Sequence, residues 1–330
     1  MPFDDYKLSD EMHERVLNRI RKTIFQDKTP VAHPQVYILG GQPGAGKSVL
    51  TESVMKNLGD DNIISINGDE FRLWHPKAQE IFKKHKKMFA EYTDADFRTW
   101  TSAIFDEAIQ NHYNIVFEGT MRTDRICDTI KQKLLPAGYQ INILVMAVPA
   151  IKSRISIYSR YQEQLEQYPI ARFTSRTSHD EGYEGMLSTL RKIEDEHLYD
   201  TIKVYNRNGN VLFQTGDKDI VSAINKERQK PLSKEDAESL TEKCDILLEK
   251  MAARNEEKEY ISDLKALREF VISQNDAQKK EEKRIETMTH FQEMTQSVRQ
   301  MRKPYVKPQI RQISGNKAKE ILSLIEGNGK

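Results

Sequence analysis

Gly40-Gly-Gln-Pro-Gly-Ala-Gly-Lys-Ser48 decides how the rest of the chain is read. From Gly41 to Ser48 it fits G-x-x-x-x-G-K-[ST], the phosphate-binding loop. Gln35-Val-Tyr-Ile-Leu39 just ahead is a short β-rich run, and Ser48-Val-Leu-Thr-Glu-Ser-Val-Met55 starts a helix. A glycine-rich loop between a strand and a helix N-terminus points successive backbone N–H groups at one spot. The helix dipole favours negative charge there as well. Gly41, Gln42, Pro43, Gly44, Ala45, Gly46, Lys47, Ser48 and Val49 are therefore expected to hold nucleotide phosphates, with Lys47 at the β/γ-phosphates and the Ser48 hydroxyl on Mg²⁺.

Outward from this loop, strand-like runs alternate with helix-like stretches. An amphipathic helix over 9–26 (Met12, Val16, Ile20, Ile24) comes first. Gln35–Leu39 leads to the loop and its helix, and 62–66 to a long polar helical region. The run at 113–117 leads to a helix near 122–134, and 141–147 to the helices of 149–195. Residues 202–205 and 211–213 flank Asn208-Gly209, a hairpin signal. This alternation predicts an α/β fold, a central mostly parallel sheet with helices on both faces, over residues 1–230.

Near Pro231 the character changes. From there to about residue 302 strand signals vanish, Gly and Pro are scarce, and apolar residues recur at helical spacing among dense charge. Residues 231–330 are expected to form an all-helical extension of two or three long helices. It would carry a basic segment near 302–311 and a last short helix at 317–325. A sheet completed before Pro231 predicts that the chain folds without the extension.

With 330 residues the chain can bury a sizeable core. A net charge of +1 disfavours binding to long nucleic acid or to a membrane surface. Cys127 and Cys244 have no metal-ligand spacing and predict a reducing compartment. No apolar stretch approaches the roughly 20 residues of a membrane span, and the N-terminus lacks a basic start followed by an apolar core. The expectation is a soluble, cytoplasmic protein.

Past the loop, no apolar run ends in a lone Asp of the kind that large ATPases use for metal. The run at 113–117 ends in Glu118-Gly-Thr120 instead, which favours a small-molecule kinase. Asn67-Gly-Asp69 closes the second run, at the sheet edge where ligands of open α/β sheets sit. A kinase acting on an alcohol needs a carboxylate to orient and deprotonate the acceptor hydroxyl, and Asp69 is the candidate; a helix cap is the alternative. Glu118 and Thr120 should open onto the same edge, as contacts to the acceptor or, for Glu118, to metal-bound water. Each could equally cap a helix. Arg154, Arg160, Arg172 and Arg176 can form a lid of positive charge over the moving phosphoryl group, or a solvated basic face. His179-Asp180 has no second ligand at metal spacing.

Taken in order, Gly41–Ser48, Asn67-Gly-Asp69 with Phe71-Arg72 and His75-Pro76, Glu118-Gly-Thr120, Arg160-Tyr161, Ala171-Arg172 and His179-Asp180 resemble the zeta-toxin family, over about residues 10–215. These are P-loop kinases of bacterial toxin–antitoxin systems. The resemblance implies phosphorylation of the 3′-hydroxyl of the sugar in UDP-N-acetylglucosamine, with ATP or GTP and Mg²⁺, by a toxin that blocks peptidoglycan synthesis. It implies Lys47 and Ser48 on nucleotide and metal, and Asp69 as base. Glu118, Thr120 and Arg72 would be on the acceptor sugar, with Arg160 and Arg172 stabilising the transferring group. It also implies an antitoxin partner, and the helical extension departs from the family pattern as an inhibitor, a dimerising coiled coil or a partner-binding arm. Two other readings stay open: a kinase of a nucleoside, dinucleotide or polynucleotide 5′-end, and a nucleotide-dependent interaction protein.

Overall fold

The computed structural model describes residues 3–58 and 62–301. The basic segment expected near 302–311 and the helix expected at 317–325 lie outside the described residues.

Six strands form one sheet: β1 (Gln35–Gly40), β2 (Ile63–Asn67), β3 (Asn114–Glu118), β4 (Gln140–Met146), β5 (Thr201–Tyr205) and β6 (Val211–Gln214). Their order is β2-β3-β1-β4-β5-β6. The first five run parallel, and β6 returns antiparallel to β5. The Asn206–Asn210 turn makes that return, with Gly209 in the left-handed region at φ 81°. Strand β1 is central, so the loop that follows it leaves the sheet between β3 and β4.

Alternation along β1 assigns the two faces. Val36 and Ile38 join the larger core with Val16, Ile20, Trp100 and Ile104, from α1 (Asp10–Ile24) and, further along, Asp94–Gln110. Tyr37 and Leu39 face Leu50 and Val54 of α2 (Lys47–Leu58). Helix α1 starts where expected because the Ser9 hydroxyl accepts from the Met12 N–H (3.4 Å), with Asp10 and Glu11 in the first turn and Arg21 and Lys22 in the last.

The long helical region expected after β2 is broken into α3 (Gly68–Phe71), α4 (Ala78–His85), α5 (Phe89–Tyr92) and α6 (Asp94–Gln110). Pro76 forces His75 out of the helical region (ψ 125°), and Lys86 takes a positive φ of 21°. Between β3 and β4 lies α7 (Arg125–Thr129), continued by a π-helical turn at Ile130–Leu134. Beyond β4 come α8 (Ala150–Gln167), α9 (Arg176–Asp195), α10 (Ile220–Arg228), α11 (Lys234–Ala253) and α12 (Lys258–Met301). The compact unit holding the sheet runs to Asp276, and a second unit starts at Ala277.

The extension after Pro231 is therefore not separable where the sequence places its start. Cys244, Leu247 and Met251 of α11, and Leu264, Leu267 and Val271 of α12, each recur at i, i+3, i+7 and bury against Ile155, Tyr158 and Tyr161 of α8. Lys152–Asp236 and Arg154–Asp263 ion pairs, both 2.7 Å, flank that seam, and the Tyr158 hydroxyl also donates to Asp263 (2.7 Å). Sequence periodicity shows that the helices pack but not on what. A chain ending at Lys230 should lose several kcal/mol of burial, at about 1.5–3 kcal/mol per large apolar side chain, and be insoluble. One ending at Asp276 should keep its melting temperature within a few degrees. Soluble yield of the chain ending at Lys230, and calorimetric melting of the chain ending at Asp276 beside the full chain, check this.

Candidate active site

The P-loop's shape is imposed from outside as well as by its glycines. The Gln42 side chain is fully buried. Its amide donates to the Val148 carbonyl (2.7 Å) and the Ser153 hydroxyl (3.3 Å) and accepts from Arg228 (3.2 Å). Gly44, at φ 76°, passes so close to α8 that a Cβ there would fall on the Ser153 carbonyl oxygen. The sequence pattern gives Gln42 a phosphate; its side chain instead ties the loop to α8 and α10, leaving only backbone for a ligand.

Lys47 is buried, its ammonium donating to the Gly41 and Gln42 carbonyls (2.9 and 3.4 Å) and lying 4.0 Å from Glu118. Burial pushes its pKa down to about 8; Glu118 opposes the fall, and Arg160 and Arg172 add to it. Ser48 and Val49 are exposed at the start of α2, and the Thr51 hydroxyl, one turn on, donates to Glu118 (3.4 Å). Thr51 was missed in the sequence, although its i+4 spacing from Lys47 puts it on the same helix face.

Asn67, not Asp69, caps α3: its side-chain oxygen accepts the Asp69 N–H (3.3 Å). The Asp69 carboxylate is left to meet two guanidiniums, Arg172 on one oxygen and Arg72 on the other (3.4 Å). The two arginines differ. Arg72 is buried and committed, donating to the Ala90 carbonyl, Thr93 (3.0 Å) and Asp94 (3.1 Å), with its guanidinium 3.6 Å above the Phe97 ring. That environment suits a scaffold for Asp69 better than a contact to an acceptor. Arg172 has Asp69 as its ion-pair partner, and burial lowers its pKa to about 10.

Arg160 donates to Thr174 (3.0 Å) and is also pushed down by burial, which Glu118 partly offsets. The Nε atoms of Arg160 and Arg172 are buried without a hydrogen-bond partner. The expected lid thus divides, since Arg154 pairs with Asp263 and Arg176 with Asp180 on the surface. His179 is fully buried between Ser153 and Asp180 (2.8 Å each), joining α9 to α8. Among the described residues no group of three His, Cys, Asp or Glu could hold a metal ion.

Two cavities open around these groups. One, of about 730 Å³, runs from Gly44, Lys47 and Ser48 past Arg160 to Tyr168, Arg207 and Lys243. The other, of about 510 Å³, is lined by Phe97, Arg98, Phe117, Thr120 and Arg122. Asp69, Glu118 and Arg172 line both. The first can take a nucleoside triphosphate along the P-loop and the second a polar acceptor. Lys243 comes from α11, a contribution that nothing in the sequence signals.

The lowered Lys47 pKa has a measurable consequence. Phosphate oxygens at its ammonium raise that pKa, so nucleotide binding takes up a proton once the pH exceeds about 8. Affinity is fully present below that pH and lost above it, becoming about tenfold weaker at pH 9 than at pH 7. Titration calorimetry in buffers of different ionisation enthalpy reads the uptake, which should vanish in Lys47→Met.

Comparison with known proteins agrees with this geometry. A family model described as "Zeta toxin" matches residues 18–218, more than half of the chain. Toxin zeta of Streptococcus pyogenes is 31% identical over 208 residues, 63% of this chain and 72% of that protein. Toxin PezT of Streptococcus pneumoniae serotype 4 is 28% identical over 216 residues, 65% of this chain and 84% of that protein. A solved structure from the PezAT chromosomal toxin–antitoxin system of Streptococcus pneumoniae shares the fold, with a TM-score of 0.64 at 23% identity over 74% of this chain and 98% of that one. No described helix is long and apolar enough to cross a membrane. With its P-loop kinase fold, the chain belongs to the zeta toxin family.

Proposed function

We propose that this chain transfers the γ-phosphate of ATP or GTP to the 3′-hydroxyl of the sugar in UDP-N-acetylglucosamine, and so acts in the cytoplasm as a toxin that blocks peptidoglycan synthesis. The observation that carries the reading is the junction of the two cavities at Asp69, Glu118 and Arg172. Phosphoryl transfer needs an acceptor oxygen and a γ-phosphate in line, a carboxylate on the hydroxyl, and positive charge around the moving group. Asp69 offers the carboxylate and Arg172 the positive charge where the cavities meet, which supports the reading.

In this mechanism the P-loop amides and Lys47 hold the β- and γ-phosphates. Arg172 leaves Asp69 for the γ-phosphate, and Arg160 joins it; their partnerless buried Nε groups are donors suited to an anion. The freed Asp69 carboxylate takes the acceptor proton, while Arg72 keeps it in place. Glu118 and Thr120 orient the sugar. A Mg²⁺ ion held at the Ser48 hydroxyl would supply positive charge to the developing phosphate charge. The Ser48 hydroxyl, with Thr51 and Glu118 beside it, suits an ion that keeps most of its waters and takes phosphate oxygens, which is why no all-protein cage is needed. An antitoxin protein is the proposed partner, supported by family membership.

³¹P NMR of the protein with ATP, Mg²⁺ and UDP-N-acetylglucosamine tests the reading. A new sugar-phosphate resonance should appear and be absent in Asp69→Ala, which still binds nucleotide. Slow ATP hydrolysis with no new resonance would move the acceptor to another molecule. An unchanged biological effect in Asp69→Ala would favour the interaction-protein reading. Lys47→Ala should lower turnover by a factor on the order of 10²–10³ or more, because it removes a fixed donor at the phosphates.

A further inference from the structure

Between α8 and α9, residues 168–175 form neither helix nor strand, so side chains must set the position of Arg172. The Gln164 side chain of α8 accepts the Arg172 backbone N–H (2.8 Å), and Phe173, the next residue, anchors the loop by packing. Phe173 is buried, edge-on to Tyr158 and Tyr161 of α8 at 5.3 and 5.4 Å, and edge-on to Tyr260 of α12 at 5.0 Å. Its neighbours turn the other way, Arg172 to Asp69 and Thr174 to Arg160.

Tyr260 is itself fixed from behind. The Lys87 ammonium lies 3.5 Å from its ring centroid and pairs with Glu256 at 2.5 Å, and the side chains of that ion pair are only 3% and 5% exposed. Arg254 reaches Gln162, and Asp263 takes Tyr158 and Arg154. Residues 254–263 therefore grip α8 and the arginine loop. They lie beyond residues 18–218, where the family model matches.

We propose that Glu256 and Tyr260 are positioning residues for phosphoryl transfer. Through Phe173 they hold Arg172 at the junction of the two cavities, so the α11–α12 turn completes the active site rather than decorating it. The proposal rests on the phosphotransferase reading above but not on the identity of the acceptor. Its readout is turnover of ATP with any acceptor, water included.

The full chain is compared with Tyr260→Leu and Tyr260→Phe, measuring kcat and nucleotide KM well below the melting temperature. Tyr260→Phe keeps the ring against Phe173 and Lys87 and should match the wild type. Tyr260→Leu should lower kcat at least tenfold with nucleotide KM within twofold, because the interaction lost is made in the transition state. In an Arg172→Ala background the same change should cost less than twofold more, since the residue it acts through is gone. Wild-type kcat in Tyr260→Leu, or losses that multiply with Arg172→Ala, would overturn the proposal. If Tyr260→Leu does not fold, Glu256→Gln, equal in shape, carries the same pair of comparisons. Failure to phosphorylate UDP-N-acetylglucosamine with ATP turnover intact would sink the acceptor assignment alone.

Discussion

Everything in this fold is arranged around backbone amides that must converge on one point at the end of a central strand. A phosphate loop built from main chain cannot choose its own shape, because glycines permit many. The buried Gln42 amide removes that freedom. By spanning Val148, Ser153 and Arg228 it fixes the loop against the end of β4, the start of α8 and the end of α10. Helix α8 then carries Arg160 to the cavity, and its opposite face carries the apolar seam with α11 and α12. One helix thus serves as wall, charge carrier and core.

Charge is the second organising theme. Lys47, Arg160 and Arg172 are gathered in a desolvated space, where like charges disfavour one another. Asp69 and Glu118 offset this within the protein, each lying against one of those cations. In the proposed mechanism an arriving triphosphate replaces carboxylates as the counter-charge, and the displaced carboxylates are the groups that the chemistry needs. Binding and activation are then one rearrangement of ion pairs.

Much of this was legible in the sequence. The position of the strands along the chain and their mostly parallel sheet followed from short apolar runs alternating with helices, and the P-loop, Asp69, Glu118, Arg160 and Arg172 all come to one place. Local signals were sufficient for the P-loop, Asp69 and Glu118, which sit at strand ends or helix starts, whereas Arg160 lies within α8 and Arg172 in the loop after it. Arg72 shows the limit, since its neighbours Ala90, Thr93, Asp94 and Phe97 lie far along the chain and only packing reveals that they occupy its guanidinium. The same holds for α11. Its periodicity says that one face is buried, but not that the face meets α8, nor that Lys243 reaches a cavity built by residues nearly 200 positions earlier.

The strand order has a consequence for how such a chain is made. Strand β1 acquires its two neighbours only when residues 114–118 and 140–146 exist, and Arg172 follows later still. The ring that backs its loop is Tyr260. Contacts so distant in sequence close late in folding, and domains form as their last element leaves the ribosome. A nascent chain therefore holds the phosphate loop well before it holds a finished site. For a kinase of the zeta toxin family, that ordering reserves the finished site for chains whose synthesis has passed the α11–α12 turn.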